Sequence, residues 1–428
     1  MTTDRPWPTR RLRYAADINP LPPTSDALPD DAMVSFLPME AIDAIGGLKL
    51  DRQRPAGEVR SAYSYFADGD VAFAKVTPCF ENGKGALMQG LLDGHGFGTT
   101  ELTVLRPRPG LDARFLHYVL CSPSFRQPGA GSMTGAGGLK RVPDEFTRNF
   151  RMCLPTLPIQ RRVADHLDRE TARIDALIEK KTRFIELLRE KRQALITQAV
   201  TRGLDPSAPM KESGVEWLGQ VPAHWQVVAL KRLVSTPITD GPHETPDFQA
   251  DGVPFVSAEA VSSGLIDFAK IRGFISRTDH ERYSQKYLPQ RGDIFMVKSG
   301  ATTGVTAMVE TDDEFNIWSP LAVIRCGPPV LPEYMLHFMR SRNFLEAVAL
   351  NWSYGTQQNI GMGVIGDLHV AVPPIVEQTE AVSRLRAEGL RIEAVVSATN
   401  RSLELLRERR AALITAAVTG QIDIREAA

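Results

Sequence analysis

Cysteine is scarce and scattered: the four residues Cys79, Cys121, Cys153 and Cys326 form no Cys-x-x-Cys pair in a chain of 428 residues. That spacing argues against a zinc site and a disulfide framework, and points to a reduced, cytoplasmic protein. Long hydrophobic runs are missing too. No apolar stretch approaches the roughly 18 to 20 residues that cross a bilayer, and MTTDRPWPTRRLRYAAD at the start lacks the apolar centre of a secretory signal. Neither sign of charge is in excess, with 50 Lys+Arg against 51 Asp+Glu. A free-standing, non-specific nucleic-acid binder draws most of its affinity from phosphate neutralisation and needs a basic surplus. Contacts to DNA must therefore fall to local patches or to partner subunits.

Catalytic motifs are missing as well. There is no Gly-x-Gly-x-x-Gly, no His-Glu-x-x-His and no Gly-x-Ser-x-Gly. Pro143-Asp144 with Glu179-Lys180-Lys181 matches a nuclease pattern in form only, because the Glu-x-Lys part lies in a helical stripe. Asp205-Pro206-Ser207-Ala208 lacks the aromatic of an amino-methyltransferase motif. The eight histidines show no metal-ligand spacing, and His117 and His337 sit in apolar helical runs as core residues. The expectation is a non-enzyme without a metal.

What is present is a repeat. ELLREKRQALITQAVT (186–201) recurs as ELLRERRAALITAAVT (404–419), with 13 of 16 positions identical and the rest Lys/Arg or Gln/Ala exchanges. The offset of 218 holds backwards through Pro155/Pro373 and Gln160/Gln378, giving 22 identities over 52 positions between 154 and 205. It also places Trp7 on Trp225 and Asp205 on Asp423. In shifted register, Gly69-Asp70-Val71 with Lys75 parallels Gly292-Asp293-Ile294 with Lys298, and Val104-Leu105-Arg106 parallels Val323-Ile324-Arg325. The chain is a tandem duplication of one module, a globular domain followed by a long helix.

In the helical part, Ile174, Ile178, Ile185, Leu188 and Leu195 recur in one copy, and Ile392, Val396, Leu403, Leu406 and Leu413 in the other. A narrow stripe held over about four heptads is a coiled-coil seam, interrupted here by Lys181, Arg192, Thr399 and Arg410. About 40 residues at 1.5 Å each make a rod on the order of 60 Å long. Each rod could lie on its own domain, but two with one stripe apiece supply what the other must bury, and an antiparallel pairing lets the intervening domain return the chain. Polar seam residues then fix register. The domains read as irregular α+β units. VAFAKV, DIFMVKSG, ELTVLRP and LAVIRCGP are strands, FLHYVLCSPSFR and EYMLHFMRSRNFLEAVAL helices, and GAGSMTGAGGLKRV and NWSYGTQQNI glycine-rich loops.

Those loops supply the candidate contacts. Lys140 and Arg141 match guanine, and Gln357, Gln358 and Asn359 match adenine, in major-groove chemistry. Lys75, the nearby Lys84 and Lys298 read as phosphate contacts or exposed strand-end lysines. Ser299, Thr302 and Thr303 follow Lys298 among glycines that let a backbone approach a phosphate, and Tyr354 offers a ring for a base.

The junction TRGLDPSAPMKESGVEWLGQVPAHWQVVALKRLV (201–234) resembles that of specificity subunits of type I restriction–modification systems, through Trp217, Leu218, Gly219, Pro222, His224 and Trp225. The helix starts LPTLPIQRRVADHLD and VPPIVEQTEAVSRL, and the two repeated helix ends, are similar to that family's. The first copy departs from the pattern at Pro155-Thr156 and at Gly138-Leu139-Lys140-Arg141. The resemblance implies an α+β chain with two mixed α/β target-recognition domains separated by two long helices in an antiparallel coiled coil. Its parts are 1–154 for the first recognition domain, 155–205 for the first spacer helix, 206–372 for a linker and the second domain, and 373–428 for the second spacer helix. It implies a non-catalytic reader of a bipartite DNA site, partnered by double-stranded DNA, two modification subunits and restriction–motor subunits, with no membrane. This chain would bind no cofactor; S-adenosylmethionine belongs to the modification subunit, and Mg and ATP to the restriction subunit. The alternatives are a type IIB-like specificity subunit and a solitary coiled-coil DNA-binding adaptor.

Overall fold

The structure is a computed structural model that describes residues 7–44, 46–354 and 358–422. These fall into two compact units. One comprises the described residues up to Thr182 with those from Asn400 onward; the other is Arg183–Thr399. The expected α+β architecture with two long helices is borne out. The first long helix is Leu157–Thr201 and the second Ile375–Val418, and each divides between the units.

In the first unit a fully antiparallel sheet has the order Ala16–Ile18, Leu102–Pro107, Val71–Ala74, Gly85–Leu87. A second sheet runs Gln53–Pro55, Met33–Leu37, His95–Gly98, Ser64–Ala67, with Met33–Leu37 parallel to His95–Gly98. Val71–Ala74 is buried at all four positions, which explains its unbroken apolar run. The stretch expected as one helix is two, Ala113–Cys121 and Pro123–Gly131. Proline at the first position of the second segment favours a fresh start there, and Ser122 stands extended between the two.

The second unit repeats this plan. Its antiparallel sheet is Thr239–Asp240, Leu321–Ile324, Ile294–Val297, Thr306–Met308, and Val253–Val256 runs parallel to Asn316–Ile317 in the other sheet. Here too the expected single helix divides, into Pro332–Met339 and Arg342–Asn351, with the Ser341 side chain accepting from the Phe344 amide. In both units a Gly-Asp turn, with Gly69 and Gly292 at positive φ, delivers a buried carboxylate to an arginine at the end of the neighbouring strand. Asp70 accepts from Arg106 Nε and Nη2 at 2.8 and 2.7 Å, and Asp293 from Arg325 at 2.7 and 2.7 Å.

Each domain core takes in the start of one long helix and the end of the other. In the first unit Val163 and Leu167 pack with Ile414, Ala417 and Val418; in the second, Ala381 and Leu385 pack with Ile196, Ala199 and Val200. The helices are thus antiparallel within each unit. A buried glutamine marks each helix start. Gln160 accepts from the Asp112 amide and donates to the Gly110 and Pro155 carbonyls; Gln378 accepts from the Leu331 amide and donates to Pro329 and Pro373. A tryptophan meets each helix end. The positive-φ Gly203 lies on the Trp225 ring, where a Cβ would be tight at 3.2 Å, and the positive-φ Gly420 on Trp7, where it would clash at 2.9 Å.

Ile174, Ile185, Ile392, Val396 and Leu403 of the expected seam are buried, while Ile178, Leu188, Leu195, Leu406 and Leu413 are half-buried. Arg410 forks onto Asp175 at 2.9 and 3.2 Å in the first unit. At the matching positions of the second unit, Arg192 approaches Glu393 at only 3.9 Å. No described helix is long and apolar enough to cross a membrane.

Candidate nucleic-acid interface

The stretches expected as glycine-rich loops form two-stranded ribbons instead. In the first unit Thr134–Ala136 pairs with Leu139–Arg141, joined by Gly137-Gly138, both at positive φ. Two successive positive φ values build the type I′ turn that suits the twist of a tight hairpin. All six strand residues are exposed, so the ribbon is held by backbone pairing rather than by a core. It is stitched to the end of strand Val71–Ala74. The Val142 amide donates to the Lys75 carbonyl, the Thr77 amide to the Lys140 carbonyl, and the Lys140 amide to Thr77 Oγ1. Lys75, Lys140 and Arg141 thereby come together.

Lys84 lies opposite Ala74, with its Nζ donating to the Met39 carbonyl at 2.9 Å. Glu101, which no sequence motif marks, organises the first cluster. Its carbonyl accepts from the Lys75 amide, and its carboxylate accepts from Arg141 Nε and Nη2 at 2.9 and 2.7 Å. The Arg141 hydrogen bonds hold the Glu101 carboxyl below its ordinary range; the charges of Arg141 and Lys75 assist, and partial burial opposes.

The second unit makes the same joint with other side chains. Ser353–Tyr354 pairs with Gln358–Asn359, Ser299 bridges Asn359, and the Gly300 amide donates to the Gln358 carbonyl. The Ile360 amide donates to the Lys298 carbonyl, and Thr303 Oγ1 to the Gly300 carbonyl at 2.7 Å. Thr302 closes the adjoining turn by accepting from the Val305 amide. Ser299, Thr302, Thr303, Gln358 and Asn359 therefore share one surface region; Gln357 lies outside the described residues.

Lys298 is 13% exposed, with its ammonium 3.2 Å from Asp240. Asp240 also takes Lys286 at 2.7 Å and His243 at 3.1 Å. Burial pushes the Asp240 carboxyl up, and the hydrogen bonds and charges of Lys286 and Lys298 outweigh it, leaving the carboxyl below its ordinary range. Asp240, His243 and Lys286 carried no signal in the sequence, because they meet Lys298 only through the fold. Neither cluster holds a nucleophile–base pair, and no group of three metal-ligating side chains occurs among the described residues.

The junction signature is built into the packing. Trp225 is buried and donates from Nε1 to Glu377 at 2.9 Å, His224 joins the same carboxylate at 2.7 Å, and Trp217 meets Phe344 edge-on. These residues fix the start of the second long helix and stand in neither ribbon cluster.

No protein-family model matches the chain. The EcoEI type I restriction enzyme specificity subunit of Escherichia coli is 39% identical over 159 residues, 37% of this chain and 26% of that protein. The chain thus matches about a quarter of that relative's length. The MjaVIII specificity subunit of Methanocaldococcus jannaschii is 21% identical over 72% of this chain and 70% of its own length. A chain from a structure of complex assembly and conformational transition in the type I R-M system superposes with a TM-score of 0.75, covering 99% of this chain and 100% of that one at 19% identity. The chain is similar in sequence to type I specificity subunits over part of its length and shares a fold with them. The HsdS subunit from Thermoanaerobacter tengcongensis shares the fold at a TM-score of 0.54 and 19% identity, over 97% of each chain. A fold of type I specificity subunits thus runs the whole described length, while the higher sequence identity is confined to part of it.

Proposed function

We propose that this chain is the non-catalytic DNA-reading subunit of a type I restriction–modification complex, each unit reading one half of a bipartite site. The observation that carries the reading is the pair of ribbon joints. The backbone framework is the same in both units, but Lys140 and Arg141 stand where the other unit has Gln358 and Asn359. Lysine and arginine suit guanine, glutamine and asparagine suit adenine, and a duplicated frame with exchanged readers is what an asymmetric two-part site requires. The specificity subunits named above support the assignment.

The remaining parts follow on this reading. The helical segments set the unread gap and carry two modification subunits, which supply S-adenosylmethionine chemistry and flip the target adenine out of the stack. A restriction–motor subunit with Mg and ATP completes the complex, in the cytoplasm. The near-zero net charge fits a subunit whose partners close around the duplex and supply much of the phosphate contact.

The test is an exchange of residues 1–154 for the corresponding domain of another specificity subunit, with the methylated motif read by sequencing. One half-site changes and the other stays on this proposal; a change in both ends the one-unit, one-half reading.

A further inference from the structure

The two ribbon joints differ in more than their readers. In the first unit Arg141 and Glu101 form a forked ion pair, with side chains 44% and 26% exposed. In the second, both members are exchanged together. Asn359 takes the place of Arg141, and Pro320 that of Glu101, because the Lys298 amide donates to the Pro320 carbonyl as the Lys75 amide does to Glu101. Resting on the DNA-reading proposal, we infer that Arg141 is a specificity-determining residue that reads a guanine in the first unit's half-site, and that Glu101 is its positioning residue.

A guanidinium has five N–H donors arranged along two forked edges. Glu101 occupies the edge formed by Nε and Nη2. Nη1 makes no hydrogen bond among the described residues, so the edge formed by Nη1 and Nη2 remains for a ligand. That edge is the fork that matches N7 and O6 of guanine. Glu101 is itself fixed: its amide donates to Thr99 Oγ1, and its carbonyl accepts from the Lys75 amide. The arginine is therefore oriented before any duplex arrives, which reduces the ordering cost of binding.

Charge selects the ligand. A phosphate facing this arginine would meet the Glu101 carboxylate just behind it, and a point-charge lysine serves a phosphate without such bracing. The N7 and O6 of guanine are neutral acceptors and carry no such penalty. Lys75, whose charge reaches Glu101, leaves two cations against one carboxylate at the pair, enough to favour the flanking backbone while Arg141 reads the base.

The test is selection of bound duplexes from a randomised DNA library by the full-length chain and its variants, each assembled with the same modification partner, with the thermal melt of each recorded. The wild type enriches a two-part motif with a G·C pair at one position of one half. Arg141→Lys keeps the charge but loses the fork, and flattens that position by roughly 5- to 150-fold in discrimination, leaving the other half unchanged. Glu101→Gln weakens the same position less, because the guanidinium remains but is no longer held. Arg141→Ala with an unchanged motif overturns the inference, as does a loss spread evenly over the half-site with a lowered melt, which marks a mere brace. A wild type that enriches no motif removes the DNA-reading proposal itself, a result distinct from either.

Discussion

Replacing Gln378 by methionine keeps the bulk of a fully buried side chain at the start of the second long helix and deletes its three hydrogen bonds. The Leu331 amide and the Pro329 and Pro373 carbonyls lose their glutamine partner. A buried backbone group left unpaired costs about 1–3 kcal/mol, so with some relaxation the three together come to roughly 3–6 kcal/mol. That is a large share of the 5–15 kcal/mol that holds a typical domain folded. Four of the five tryptophans, Trp217, Trp225, Trp318 and Trp352, lie in the second unit, so tryptophan fluorescence in urea reports chiefly on that unit. With a urea dependence of about 2–3 kcal/mol per molar, the midpoint of Gln378→Met falls by about 1–3 M, and the Leu331 amide loses its protection from hydrogen exchange. A midpoint within about 0.3 M of wild type, with the amide still protected, would refute the argument that this side chain ties the helix start to the domain.

Burial pushes the His337 imidazole down to about 4, helped by the charges of Arg340 and Arg192. A group whose folded value lies below its unfolded one binds its proton more readily when unfolded. Its penalty is therefore absent above about pH 6.5 and grows as pH falls toward 4, reaching about 3 kcal/mol. Wild type should lose that much more stability than His337→Leu between pH 7 and 4 in urea titrations, and parallel curves would count against it. Arg410→Ala strands a mostly buried Asp175 and should cost about 2 kcal/mol, whereas Arg192→Ala loses an exposed contact at 3.9 Å and should cost under about 0.5 kcal/mol by thermal denaturation. Removing one whole heptad at matched positions of both long helices should shorten the gap between methylated half-sites, as read by methylome sequencing; an unchanged gap rules out a ruler role.

The long helices, the buried strands and the duplication were legible because each rests on apolar periodicity or on internal identity, which a single sequence displays directly. The ribbons were not, because Thr134–Arg141 is exposed on both strands and its order comes from backbone pairing that leaves no alternation to read. The helix breaks at Ser122 and Ser341 were present as a Ser-Pro step and a capping serine, signals that the continuous apolar pattern overrode. The lysines were visible; their partners were not. Glu101 and Asp240 reach Lys75 and Lys298 across tens of residues of chain, and the fold alone brings them near. The Trp-Leu-Gly…His-Trp signature carried the resemblance to type I specificity subunits through residues whose physical work is packing: Trp225 closes over the end of the first long helix and grips Glu377 on the second.

On the reading proposed above, one duplicated chain reads two different half-sites held a fixed distance apart. Methylome sequencing of cells that carry this chain with a modification partner tests it most directly. Methylated adenines are expected in a single asymmetric motif of two short specified blocks separated by an unspecified gap of constant length. A contiguous motif, a gap that varies from site to site, or methylation without sequence preference would contradict it.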